Sequence, residues 1–303
     1  MANGIAYIIL IAIWSTTPLA IKWSATDLSF VGAIFWRILL SALLALAVLS
    51  IRGESLRGYR HGLRFYVVAA LGIAPNFLLV YWSAQWISSG LISVIFSTTP
   101  FLIGVLSYYW LGRQVFTVQR VIALLIAMLG LVVVFAEQLI IIGRDGAYGV
   151  VVMLVSVVIF ATSSTYLQKM NTTIPVLQQT TGGLCFSSLF LALVWLLLDG
   201  SAPWPITLRG GLSILYLSVF GSLIGFMLYY FLLQRISAYA VSTVGMISPA
   251  FALILGVFLA GELLTLQLMI GAGLVLLGLT LYHMRGSALV SVAKRLLGHS
   301  RKT

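Results

Sequence analysis

The chain has 303 residues, 61% of them hydrophobic and 8% charged, with a formal net charge of +11 and a mean hydropathy of +1.13. Soluble domains carry roughly 25% charged residues, and a water-facing surface cannot be assembled from so apolar a chain, so the composition excludes a soluble globule and leaves lipid as the solvent. The single cysteine, Cys185, excludes a disulfide framework or a cysteine-based metal site.

A bilayer core of about 30 Å takes about 20 apolar residues per helix. Tracts of that length predict an all-α integral membrane protein of ten spans: 4–23, 30–50, 65–86, 90–111, 116–136, 147–168, 174–198, 211–234, 239–260 and 265–284. The first span has no basic leader region and runs straight through as a full-length helix. It contains Ser15-Thr16-Thr17-Pro18. The second contains Arg37, the one charge well inside a span, about two turns from its start at 1.5 Å per residue. Residues 65–112 hold no Asp, Glu, Lys or Arg, yet Ser97-Thr98-Thr99-Pro100 sits among them. The ninth span has a third version, Ile247-Ser248-Pro249. Runs such as LALVWLLL are continuously apolar, which argues against the alternating pattern of barrel strands. After the last span, residues 285–303 form a basic tail with an apolar stripe through Leu289, Val292 and Leu296. It reads either as a segment lying on an anionic leaflet or as a solvated tail.

Charge gives the orientation. With both termini cytoplasmic, the inner side receives Arg52, Arg57, Arg60, Arg64, Arg113, Arg120, Lys169, Arg235, Arg285, Lys294, Arg295, Arg301 and Lys302, against Lys22, Arg144 and Arg209 outside. That asymmetry is the positive-inside signal and explains the net charge without nucleic acid. Asp27, Glu137, Asp145, Asp199 and Glu262 fall outside, Glu54 inside, and the spans are expected to hold no acid. The expected location is the inner (cytoplasmic) membrane.

The chain is written twice. At an offset of 149, Tyr81 meets Tyr230, Gln85 meets Gln234, Ile87-Ser88 meets Ile236-Ser237, Pro100 meets Pro249, and Gly112 meets Gly261. At 148, Thr117 meets Thr265, Gln119 meets Gln267, and Gly130-Leu131 meets Gly278-Leu279. The predicted units are 1–138 and 146–284, each of five spans, followed by the tail at 285–303. Five is odd, so the second unit enters the membrane inverted. Gly112-Arg113 and Gly261-Glu262 then lie on opposite sides, and the residue after the glycine changes sign with its side. Inverted repeats around a midplane site are the mark of alternating-access transporters.

WSTTPLAIKW, FWRILLSALLALAVL, YWSAQWISSGLISVIFSTTPFLIGVLSYYWLGR and ISAYAVSTVGMISPAFALILGVFLAGELLTLQLMIGAGLVLLG resemble the EamA-type branch of the drug/metabolite transporter superfamily over nearly the whole chain, as two EamA repeats. Arg113 departs from the acid usual at that place in the first repeat. The resemblance implies ten helices, a central cavity mainly between spans 1, 3, 4 and 6, 8, 9, and usually export of metabolites.

Proline in a span removes a backbone hydrogen bond and frees a carbonyl, which in lipid must be satisfied or face a watery cavity. Pro18, Pro100 and Pro249 are therefore expected to bend their helices. The adjacent hydroxyls have two readings: partners of the freed carbonyls, or lining of a solute route. The substrate-binding candidates are Trp14, Ser15, Thr17, Arg37, Tyr81, Trp82, Gln85, Ser97, Thr98, Thr162, Ser163, Tyr230, Met246 and Ser248. Trp14, Tyr81, Trp82, Tyr229 and Tyr230 read as pocket walls for an amphipathic solute, with Tyr81 and Tyr230 alternatively as gates. Trp23, Trp86, Trp110 and Trp204 read as interfacial anchors. Arg37 either snorkels or bonds freed carbonyls, or receives a substrate carboxylate.

The leading functional expectation is a monomeric secondary exporter of amino acids or related small metabolites, with no cofactor, metal or nucleic-acid partner. A flippase for a lipid-linked or lipid-like substrate is the alternative within the superfamily. A membrane enzyme is the rival class, but His61, His283 and His299 fall at or beyond span ends, and no P-loop is present.

Overall fold

The structure is a computed structural model describing residues 2–56, 61–112, 117–141, 143–203, 205–242 and 244–283, the side chains of His61, Gln138, Leu139, Met246, Ile247, Ala250 and His283 excepted. The expectations for Arg57, Arg60, Arg113, Trp204 and the tail at 285–303 lie outside the described residues.

Among the described residues the fold is helical throughout. In chain order the helices are α1 (Ala2–Ser24), α2 (Phe30–Ile51), α3 (His61–Ser83), α4 (Ser89–Phe96), α5 (Thr99–Leu111), α6 (Val118–Ile141), α7 (Arg144–Met170), α8 (Val176–Leu198) and α9 (Leu208–Tyr216). A π segment (Leu217–Ile224) follows, then α10 (Gly225–Leu233), α11 (Ala238–Ser242), α12 (Val244–Ala260) and α13 (Leu266–His283). Eight segments are long and apolar enough to cross a membrane, counting α4 with α5 as one and α9, the π segment and α10 as another. The apolar helices near the C-terminus, Phe251–Ala260 and Leu266–Tyr282, are shorter.

The helices start and stop where hydroxyls and glycines dictate. Ser29, Ser88 and Thr207 accept hydrogen bonds from the backbone N–H groups of Gly32, Leu91 and Gly210, capping α2, α4 and α9. Ser237 accepts from Ala240 N, Thr265 from Leu268 N and Thr117 from Arg120 N at the starts of α11, α13 and α6. Such caps satisfy donors that a helix start leaves open. Gly112 and Gly261 end α5 and α12 in the left-handed conformation, each at φ +64°, where a side chain would be strained. The sequence repeat is thus largely a repeat of punctuation: Ser88 and Ser237, Thr117 and Thr265, and Gly112 and Gly261 do matching jobs.

Packing pairs α2 with α8, α6 with α13, α3 with α7, α1 with α12, and α5 with α7. The α6–α13 crossing is the tightest in backbone terms. A Cβ on Gly130 would lie 2.6 Å from Gly271 O, and one on Gly278 would lie 2.5 Å from Ala123 O. Small residues allow this approach, which is how helices gain contact where lipid supplies no hydrophobic drive.

Of the three expected bends, one is a break. The crossing expected at 90–111 is interrupted at Ser97–Thr98, and Pro100 stands in the first turn of α5, where its missing N–H costs nothing. Pro18 and Pro249 do lie inside α1 and α12. A further proline, Pro75, lies inside α3.

Candidate functional site

The helix pairs enclose a central cavity of about 70 Å³. α1 contributes Trp14, Thr17, Pro18 and Ile21; α3 contributes Phe77 and Val80; α4 contributes Ile92, Ser93 and Phe96. Phe160 of α7, Gly221 of the π segment, Phe226 of α10, and Gly245 and Ser248 of α12 complete the wall. Its aromatics interlock. Phe160 lies 6.0 Å from Trp14 and 5.2 Å from Phe96, centroid to centroid, and Phe77 lies 6.1 Å from Phe226. The polar side chains on the wall are hydroxyls, and none of the wall side chains is ionisable.

Arg37 lies directly behind this wall. It is wholly buried, which corrects the expectation of snorkelling. Nε donates to Ser222 Oγ at 2.9 Å, while Nη1 and Nη2 have no hydrogen-bond partner among the described residues. Its Cζ stands 4.4 Å from the ring centroid of Phe77 and 6.0 Å from that of Tyr81. Ser41 Oγ donates to the Arg37 carbonyl at 2.7 Å within α2, and Ser218 Oγ, which donates to Ile214 O at 2.7 Å, lies 3.0 Å from the same carbonyl, so α2 and the π segment meet closely at Arg37. A Cβ on Gly221 would lie 3.3 Å from Nη2 and 3.7 Å from Thr17 Oγ1. Gly221 therefore opens the wall between the guanidinium and the cavity. An unpaired buried cation costs several kcal/mol even after relaxation, and the face of Phe77 offsets only part of that.

One end of the bundle is clasped by acids. Glu262 accepts from Ser89 N at 2.8 Å, Ser89 Oγ at 2.9 Å and Gly90 N at 3.4 Å, and pairs with Lys22 Nζ at 3.3 Å. A carboxylate on open backbone donors at the start of α4 is favoured by the helix dipole as well. Asp27 accepts from Thr207 N and Oγ1 at 3.0 and 2.5 Å. Asp199 accepts from Ser29 Oγ and Ser201 Oγ, each at 2.6 Å. Burial pushes the Asp199 carboxyl up, but the hydroxyls of Ser201 and Ser29 outweigh it and hold the group below its ordinary value. Thr265 Oγ1 donates to Glu137 Oε1 in a short contact. Glu137 is buried within α6, so the expectation that the spans hold no acid is corrected. Each clasp joins a residue from the first half of the chain to one from the second.

The opposite end carries a polar recess of about 430 Å³ lined by Gln168, Lys169, Asn171, Gln179, Gln234 and Arg235, with Tyr230 and Phe65 at its base.

Of the candidates named from sequence, Trp14, Thr17 and Ser248 share the central wall with Pro18. The remainder are dispersed. Ser15 is buried and donates to Ile11 O; Ser97 and Thr98 donate back to Val94 O and Ile95 O. Tyr81 is buried and accepts from Ser24 Oγ at 3.3 Å. Trp82 packs on Trp86, and Gln85 is exposed. Thr162 and Ser163 line a separate apolar groove with Trp110 and Tyr166. Tyr230 sits at the recess, and the Met246 side chain is outside the described residues. Sequence reasoning missed Phe77, Val80, Phe96, Phe160, Phe226, Gly221 and Ser93. An apolar residue facing a cavity has the same letter as one facing lipid, and the approach of Gly221 to Arg37 joins residues far apart in the chain, so neither left a signal in the sequence.

These features define a polytopic α-helical membrane protein with a small central cavity. Residues 2–136 and 147–284 match the EamA-like transporter family, and the chain belongs to that family of membrane transporters. It is similar to an uncharacterized transporter of Archaeoglobus fulgidus, at 27% identity over 92% of this chain and 98% of the relative. It also resembles the uncharacterized transporter YoaV of Bacillus subtilis, at 22% identity over 88% and 91%. Protein PagO of Salmonella typhimurium is 23% identical over 85% of each chain. A solved crystal structure shares the fold, with a TM-score of 0.70 at 17% identity, covering 93% of this chain and 98% of its own.

Proposed function

We propose that this protein is a secondary exporter of amino acids or related small metabolites in the inner membrane, working by alternating access between two inverted five-helix units, 1–138 and 146–284. The observation that carries the reading is the asymmetry of the two ends around one cavity. Glu262, Asp27, Asp199 and Glu137 each bridge the halves at one end, while a polar recess opens at the other. The excess of cations on the recess side supports a cytoplasmic placement of that side, and with it the reading of the clasped end as the outer one. Packing supports two related units: α1 against α12 is matched by α7 against α5, and the terminal helices α6 and α13 pack on each other. Ordered opening requires the clasps to release as the recess closes. The Asp27 and Asp199 bonds are exposed, so each of those can be exchanged for water at small net cost.

The test is a cross-link. With Cys185→Ser, the pair Asp27→Cys and Thr207→Cys is oxidised in proteoliposomes loaded with a panel of radiolabelled amino acids. Efflux of the exported members should fall at least about tenfold on oxidation and recover on reduction, a tenfold effect corresponding to about 1.4 kcal/mol. Undiminished efflux with the pair fully oxidised would show that this end is not a gate.

A further inference from the structure

We infer that Arg37 and Gly221 form an anion port in the wall of the central cavity, and that the solute it takes is a carboxylate carried on an apolar or aromatic body. The inference rests on the transporter reading and specifies its substrate class.

The guanidinium is fully buried, bound through Nε alone, and bare at both terminal nitrogens. Those two nitrogens are the fork that matches the two oxygens of a carboxylate. Among the described residues the one ion pair is Lys22 with Glu262, so no protein acid is paired with Arg37. The side chain is also held in place, its Nε by Ser222 and its flat face by Phe77. A cation fixed that firmly and left unpaired is prepared for a visiting anion.

The port is where Gly221 lies. Any side chain there would crowd Nη2 at 3.3 Å, and the glycine stands in a π segment, an irregularity often found at functional sites. Across the port, Thr17 Oγ1 lies 3.7 Å from where a Gly221 Cβ would be, and it donates to Ile13 O at 2.8 Å, so it serves an anion only by giving up that bond. The remaining wall is Trp14, Phe77, Phe96, Phe160 and Phe226, which suits an apolar body and offers no carboxylate for an ammonium group. An ammonium on the solute would have to lie on an aromatic face. The closed cavity, at about 70 Å³, is smaller than a cavity that admits benzene, so aromatic solutes require the wall to open.

The discriminating probes are matched acids and amides: acetate with acetamide, and phenylacetate with phenylacetamide. Binding is measured on the purified full-length protein by calorimetry, alongside thermal unfolding to confirm the fold. At least one acid should bind about tenfold or more tightly than its amide, a difference of about 1.4 kcal/mol. Arg37→Gln should abolish that preference, and Arg37→Lys should retain part of it. Gly221→Ala keeps the charge but narrows the port, and should weaken the acid while leaving the amide nearly unchanged. If both acids bind no better than their amides, or if the preference survives Arg37→Gln in folded protein, the anion port is wrong. Should Arg37→Gln fail to fold, an unchanged acid preference in both Arg37→Lys and Gly221→Ala would overturn it equally. Cross-linking of the clasped end decides the transporter reading separately: efflux blocked on oxidation, with no acid preference, leaves the transporter and removes the carboxylate.

Discussion

Glu262 shows how one charged side chain does several jobs in an apolar chain. Its carboxylate accepts from two backbone N–H groups and one hydroxyl at the start of α4 and pairs with Lys22. Lys22 runs against the positive-inside pattern, and that pairing is the local reason it is tolerated. Glu262→Gln keeps the volume but replaces one accepting oxygen by a donor, so either Ser89 N or the Ser89 hydroxyl loses its partner. The expected loss is about 1–3 kcal/mol, read as a lower unfolding temperature of the purified protein. Lys22→Met removes only a partly exposed pair and should cost no more than about 1 kcal/mol. A second residue-scale prediction concerns pH. Because the folded pKa of Asp199 is lowered, its clasp contributes fully above the unfolded value of about 3.9, and the contribution is lost as pH falls through the folded value. Wild type and Asp199→Asn should therefore differ in unfolding temperature by a constant amount from neutral pH down to about 4, and converge below it. A gap that instead opens or closes between pH 5 and 8 would assign the effect to another group.

Single elements were legible to different degrees, and the reason is the solvent. Hydroxyl caps and left-handed glycines have distinctive letters, so the helix ends at Ser88, Thr207, Gly112 and Gly261 could be read from the chain. Lipid-facing and inward-facing surfaces could not, because a helix that is apolar all round carries no amphipathic signal. That is why Phe77, Phe160 and Phe226 were invisible as cavity wall, while the hydroxyls of Ser97 and Thr98, conspicuous in sequence, turn back on their own helix. The interruption at Ser97 was misread for a related reason: a proline within an apolar run looks the same whether it bends one helix or begins the next. The α6–α13 contact offers a test at this scale. Gly278→Leu would press against Ala123 O, whereas a Cβ on Gly273 meets nothing within 4 Å. Overpacking costs typically about 1–3 kcal/mol, and a clash with backbone cannot be relieved by a rotamer change. Gly278→Leu should lower the folded yield and unfolding temperature, with Gly273→Leu close to wild type. Equal loss in both would mean that the crossing is looser than its backbone distances imply.

At the scale of the molecule, the duplication matters because the family match falls in two parts, residues 2–136 and 147–284. In the proposed arrangement the two similar units face opposite ways, so any sequence position used twice serves one end in the first unit and the other end in the second. Gly112 and Gly261 carry the same turn, yet the residue after it is Arg113 in one and Glu262 in the other. The glutamate serves the clasp on α4, and under the proposed orientation the arginine's turn lies on the cytoplasmic side. Placing single cysteines in a Cys185→Ser background tests that placement without disturbing the clasp: Arg113→Cys in one turn, and Leu263→Cys, a position 85% exposed, in the other. In right-side-out cells an impermeant maleimide should label Leu263→Cys directly, while Arg113→Cys should label only after the membrane is permeabilised. The order should reverse in inverted vesicles. Labelling of both from the same side would make the units parallel and would overturn the inverted arrangement, and the matched packing of α1 on α12 and α7 on α5 would not rescue it, because that packing fits a two-fold axis along the membrane normal equally well.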